Sequence, residues 1–142
     1  MSHNKFVSLP VLQLNRSKIL LFLIVCLHLL ALFCVTYSVY FHISVNVFLG
    51  LFVVISFAYY ILYYQNLSRL TAIKYRADGM WVFGFKDKPL LVSLEPDYLL
   101  TDWLIILRFK VGMLKTRSIP IFKDMLTPKD FKQLRVVLPY LL

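Results

Sequence analysis

From residue 19 through residue 68 the chain carries no Asp, Glu, Lys or Arg, although 16 Lys and Arg and 7 Asp and Glu are spread over its 142 residues. About 20 apolar helical residues cross a bilayer core roughly 30 Å thick, so this block holds two spans and a tight turn. The candidate spans are residues 19–40 and 45–64. The first contains fourteen Ile, Leu, Val and Phe. At roughly −0.4 kcal/mol each on the insertion scale, these outweigh one His28 and a few small polar groups. Phe41, His42, Ile43 and Ser44 are too few to form a domain, so the two spans are expected to form an antiparallel hairpin.

Orientation follows from the basic residues. Lys5, Arg16 and Lys18 precede the first span and Arg69, Lys74 and Arg76 follow the second, while the connecting loop has no Lys or Arg. The positive-inside rule therefore predicts a two-pass membrane protein with both termini cytoplasmic. Tyr37, Tyr40 and Phe41 at one edge, and Tyr59, Tyr60, Tyr63 and Tyr64 at the other, form aromatic belts at the same boundaries. A cleaved signal peptide is the competing reading of Lys18 and the leucine-rich run after it. That run exceeds an h-region of about 7 to 15 residues, lacks a small-residue cleavage site and leads almost at once into another span.

The chain is 60% hydrophobic with mean hydropathy +0.73 and net charge +9, which describes a small basic membrane protein rather than a soluble domain. The fold class expected is membrane α+β. Residues 1–18 form a cytoplasmic N-terminal segment and residues 19–64 the hairpin. Residues 65–142 form a small cytoplasmic antiparallel β-sheet domain ending in a helix at 127–138. From Arg69 onward there are 13 basic and 7 acidic residues, a net of +6. That favours the anionic lipid of the inner leaflet by up to about 1 kcal/mol per well-placed base. No helix-turn-helix, zinc or stacking motif supports nucleic acid as a partner. Cys26 and Cys34 both fall in the first span and read as small apolar filler, with no metal or redox role expected.

After the second span the hydrophobic run gives way to short apolar stretches punctuated by turn residues, the mark of an antiparallel sheet. Asp78-Gly79 reads as a two-residue hairpin loop, and Lys86-Asp87-Lys88-Pro89 as a second turn before a strand at 90–94. Residues 98–109 read as one long or bulged strand, returning near Gly112 along 114–122. Thr127 is placed to cap a helix with Pro128 at its first position, and Pro139 to end it. Residues 6–14, which include Pro10, are a candidate edge strand of the same sheet.

No constellation for catalysis stands out, and neither a cofactor nor a metal is expected. His3, His28 and His42 are placed too far apart to share a site. Glu95, Asp97 and Asp102 are the densest acidic group but have no nucleophile in register, so a solvated turn is the simpler reading. An ionisable residue inside a span is a functional candidate by default. With no intramembrane acid to exchange a proton with, His28 reads as an intramembrane polar contact, and Asn46 likewise. Trp81, Trp103, Arg108 and Arg135 are the candidates for contact with a partner, because aromatic and Arg anchors dominate interface energetics. For Trp103, read as part of a strand and followed by apolar residues, a place in the core is the competing reading.

Four stretches are similar, in order, to the YgfX/CptA family of small bacterial inner-membrane proteins. They are Leu12-Gln13-Leu14-Asn15-Arg16-Ser17, Tyr75-Arg76-Ala77-Asp78-Gly79-Met80-Trp81, Asp102-Trp103-Leu104-Ile105-Ile106-Leu107-Arg108-Phe109, and an ending that joins Phe122-Lys123-Asp124-Met125-Leu126 to Phe131-Lys132-Gln133-Leu134-Arg135-Val136-Val137-Leu138. The resemblance implies the membrane toxin of a toxin-antitoxin pair, facing the cytoplasm. Its implied partner is a small soluble protein of the SdhE/CptB type, a flavinylation factor for succinate dehydrogenase. It also implies interference with tubulin-like and actin-like cytoskeletal proteins. The function expected is thus a non-enzymatic inner-membrane adaptor that presents a basic domain to a soluble protein. The alternative is a structural accessory subunit of a larger membrane complex, with the hairpin in contact with other subunits or with a second copy.

Overall fold

The computed structural model describes residues 11–38, 42–76, 78–86, 88–112 and 115–141. Two compact units result, one of residues 17–67 and one that takes residues from both sides of it, up to 16 and from 68 onward.

The first unit is a helical hairpin of α1 (Lys18–Thr36) and α2 (Ile43–Leu67). Ser17 caps α1 by accepting the Leu20 N–H at 3.0 Å, satisfying a donor that the first turn leaves open. Both helices are long and apolar enough to cross a membrane. Their ends differ from the spans set by hydropathy. α1 stops at Thr36, whose hydroxyl donates to the carbonyls of Leu32 and Phe33, and residues 39 and 40 of the expected span lie outside the described residues. α2 begins at Ile43 and continues past Tyr64 through Gln65 and Asn66. A polar residue marks the edge of the hydrocarbon but does not break the backbone hydrogen bonds that carry a helix onward.

The second unit is a curled antiparallel sheet with a C-terminal helix. Its strands are β1 (Leu12–Gln13), β2 (Leu70–Tyr75), β3 (Trp81–Phe85), β4 (Pro89–Leu94), β5 (Leu99–Leu100), β6 (Leu104–Val111) and β7 (Lys115–Phe122). β1 to β4 pair in sequence order. β4 passes the sheet on, pairing with β3 through residues 89–92 and with β6 through Ser93 and Leu94. β5 lies further along β6 and β7 pairs with β6 throughout. At the candidate edge strand, Leu12 pairs with Ile73 and Gln13 with Ala72; residues 6–10 lie outside the described residues.

Alternation places one side chain of each pair inward. Trp81 and Phe83, Val92 and Leu94, Ile105, Leu107 and Phe109, and Ile119 and Ile121 are all buried. The α3 helix (Pro128–Leu141) adds Phe131, Leu134 and Leu138, equally buried. Thr127 caps it, its hydroxyl accepting the Asp130 N–H at 3.2 Å.

Three local expectations are corrected. Arg76 N–H bonds to Met80 O at 2.9 Å, so the β2–β3 loop is three positions long rather than two, with Gly79 at φ +83° supplying the left-handed residue. The single strand at 98–109 is instead the β5–β6 hairpin, because Thr101 Oγ1 accepts the Leu104 N–H at 2.9 Å and donates to Leu104 O at 2.7 Å. Pro139 does not end α3, which continues to Leu141. Its φ suits a helix, and so close to the terminus the missing N–H forfeits a single bond.

Candidate functional site

The three acids that cluster in the sequence are each engaged by a base. Glu95 meets Lys110 at 2.9 Å, Asp97 meets Arg108, and Asp102 meets Arg135. Arg108 and Lys110 project from the outward face of β6, and Glu95 and Asp97 come from the connection between β4 and β5. Turn geometry at Thr101 presents Asp102 and Trp103 together, and Asp102 ties this turn to α3 through Arg135. The carboxylates therefore act as counter-charges that fix loops to β6 and α3. Among the described residues, no group of three or more His, Cys, Asp or Glu is placed to hold a metal ion.

The four candidate partner contacts separate accordingly. Trp81 is only 1% exposed and packs its ring 5.2 Å from Tyr75; it belongs to the core and offers no surface. Trp103 is 50% exposed, with its ring 6.0 Å from Phe122. Arg135 is brought to the same corner by Asp102, and Arg108 stands apart on β6, paired with Asp97. The corner of Trp103, Asp102 and Arg135 joins an amphipathic ring to a guanidinium on a rigid hairpin and helix. That combination suits recognition of a protein surface. Asp102 and Thr101 organise the corner, and the signal for them was a Thr followed three residues on by a new strand.

In the hairpin, His28 bridges the helices. Its Nδ1 lies 2.7 Å from Ile24 O and its Nε2 lies 3.2 Å from Ser56 Oγ. A carbonyl can only accept, so Nδ1 carries the proton, and in the neutral ring Nε2 accepts from the Ser56 hydroxyl. The ring also meets Phe57 and Tyr60 edge-on, at 5.3 and 5.6 Å. Asn46 Nδ2 donates to Ser38 O at 3.1 Å, closing the end of α1 against the start of α2. His28 and Ser56 line an apolar groove of about 530 Å³ between the helices, together with Leu27, Phe52, Tyr60 and Tyr63.

The family model described as the membrane-bound toxin component of a toxin-antitoxin system matches residues 9–141. Neither a curated protein nor a solved structure matches the chain. The match takes in the hairpin, the sheet and α3 alike, which accounts for the membrane location that the two apolar helices suggest and for the order of motifs in the sequence. The chain belongs to the CptA toxin family, the membrane-bound toxin components of toxin-antitoxin systems.

Proposed function

We propose that this protein is a non-enzymatic adaptor of the bacterial inner membrane, anchored by the hairpin, whose sheet unit binds a soluble protein in the cytoplasm. The observation that carries this reading is the corner of Trp103, Asp102 and Arg135, a half-exposed indole beside a guanidinium held in place by its own counter-ion. The orientation rests on the basic residues that flank the uncharged block. It is supported by the pairing of β1 with β2, since strands on either side of the hairpin can pair only if both of its ends leave the membrane on one face. A toxin component implies an antitoxin, and a small soluble flavinylation factor of the SdhE/CptB type is the partner that the family suggests. Tubulin-like and actin-like cytoskeletal proteins would be the targets, and the anionic inner leaflet would hold the basic surface.

The test is purification from native membranes in a gentle detergent, with mass spectrometry of what remains bound. Stoichiometric recovery of one small soluble protein, lost from the W103A/R135A double variant, is the expected result. Recovery with the double variant unchanged would remove the corner from the interface.

A second reading, an accessory subunit of a membrane complex, has one observation in its favour. Asn46 Oδ1 is buried without a hydrogen-bond partner among the described residues, beside helices whose outer faces are almost wholly uncovered. Co-purification of membrane subunits, lost on changing His28 and Asn46 to Leu, would support it.

A further inference from the structure

The outer edge of β7 is half closed and half open. Lys123 N–H donates to Trp103 O at 2.9 Å, so position 123 belongs to the hydrogen-bonded set of the ladder. By the alternation of an antiparallel pair, the odd residues of β7 face β6 with their N–H and C=O groups, and the even residues face away. The C-terminal half of that edge is blocked. Pro120 has no N–H to offer, and Phe122 gives its N–H to Met125 Sδ at 3.4 Å. In the N-terminal half, Thr116 and Ser118 present both groups outward, and residues 115–118 are all exposed. Among the described residues β7 pairs with β6 alone.

Charge singles out this open half. Arg108 and Lys110, opposite Ser118 and Thr116, are neutralised by Asp97 and Glu95. Lys115 and Arg117, on the other face, have no ion pair among the described residues. A strand laid beside β7 would bring alternate side chains against these two cations. Pairing with a second copy of β7 is disfavoured, because an antiparallel register centred on Arg117 sets it opposite itself, and one centred on Thr116 sets Lys115 opposite Arg117.

We propose that residues 115–118 of β7 accept, by strand addition, a short extended segment of a soluble protein with acidic residues at alternate positions. Main-chain bonds to Thr116 and Ser118 supply the register, and Lys115 and Arg117 supply the selectivity. The proposal deepens the adaptor reading and rests on it for the partner's being a soluble protein.

The test uses the full chain in phosphatidylcholine nanodiscs and two fluorescein-labelled hexapeptides, one alternating Glu and Thr, the other Lys and Thr, followed by anisotropy at low salt. The Glu–Thr peptide should bind roughly tenfold more tightly than the Lys–Thr peptide. The K115E/R117E variant should reverse that preference. T116P/S118P, which removes only outward N–H groups and keeps both cations, should weaken Glu–Thr binding by a similar factor. Equal binding of both peptides, or full retention of Glu–Thr binding by the proline variant, overturns strand addition. If the proline variant does not fold, a Glu–Thr peptide N-methylated on alternate residues, unable to donate its main-chain N–H groups to Thr116 and Ser118, takes its place, and its undiminished binding overturns strand addition. A soluble partner that co-purifies undiminished with K115E/R117E would leave the adaptor reading standing and remove this edge from it.

Discussion

The hairpin and the sheet unit use the same apolar residues in opposite ways. In α1 and α2, Phe22 and Phe48 point outward, each about two-thirds exposed, and the polar groups His28 and Ser56 turn inward to each other. In the sheet, Phe83 and Phe109 are enclosed, edge to face at 4.9 Å, and Glu95, Asp97 and Asp102 lie outside, each paired with a base. Lipid tails are as apolar as a leucine side chain, so the hairpin gains nothing by hiding phenylalanine and is held by packing and interhelical hydrogen bonds. The sheet unit faces water and is held by burial.

That contrast predicts how each region breaks. Phe83→Ala or Trp81→Ala should destabilise the sheet unit by about 3–5 kcal/mol, or abolish folding, read by limited proteolysis and thermal denaturation. Phe22→Ala in the hairpin should change stability by less than about 0.5 kcal/mol. A large loss there would mean that the outer face of α1 is covered by protein. The glycines give a subtler contrast. Gly79→Ala forces a side chain into φ +83°, where the cost is in the backbone because the Cβ itself meets open space, and should cost about 1–2 kcal/mol. Gly50→Ala, within α2 and equally unobstructed, should be neutral or stabilise by up to about 1 kcal/mol.

His28→Leu removes one interhelical bond and should weaken the hairpin by about 0.6 kcal/mol, at most about 1.7, measured by SDS titration of the purified protein. Asp102→Ala should also have a small effect on stability. Its pair with Arg135 is largely exposed, and loss of at most about 1 kcal/mol is expected. If Asp102→Ala nevertheless abolished partner binding at unchanged stability, the ion pair would be confirmed as a device for orienting Trp103 and Arg135.

Much of this was legible from residue pattern alone. Charge absence located the hairpin, turn residues marked most of the strands, and Thr127 with Pro128 located the start of α3. Trp103 shows where such reasoning stops. It shares parity with Ile105, Leu107 and Phe109, which places it in the core of any continuous strand. The Thr101 hydroxyl folds the chain back before the strand begins and carries the indole to the surface. A single side-chain bond to the backbone thus overrides the period, and no count of apolar positions registers it. Trp81, of the same type but within a strand, lies inside, paired with Tyr75 of β2 and Val92 of β4. Which base each acid of the 95–102 group would meet was likewise hidden, since Arg108, Lys110 and Arg135 approach from two different elements.

The pairing of Leu12 with Ile73 has a consequence for how the protein is made. The first strand leaves the ribosome about sixty residues before its partner, and at 5–20 residues per second it waits on the order of several seconds. During that interval α1 and α2 are synthesised, so β1 can pair with β2 only after both helices have been made. A soluble fragment beginning at β2 would lack Leu12 and Leu14, both buried in the intact chain, and would expose the edge of β2 that they cover. Closure of this edge of the sheet is therefore a late step, reached only after the whole apolar stretch has left the ribosome.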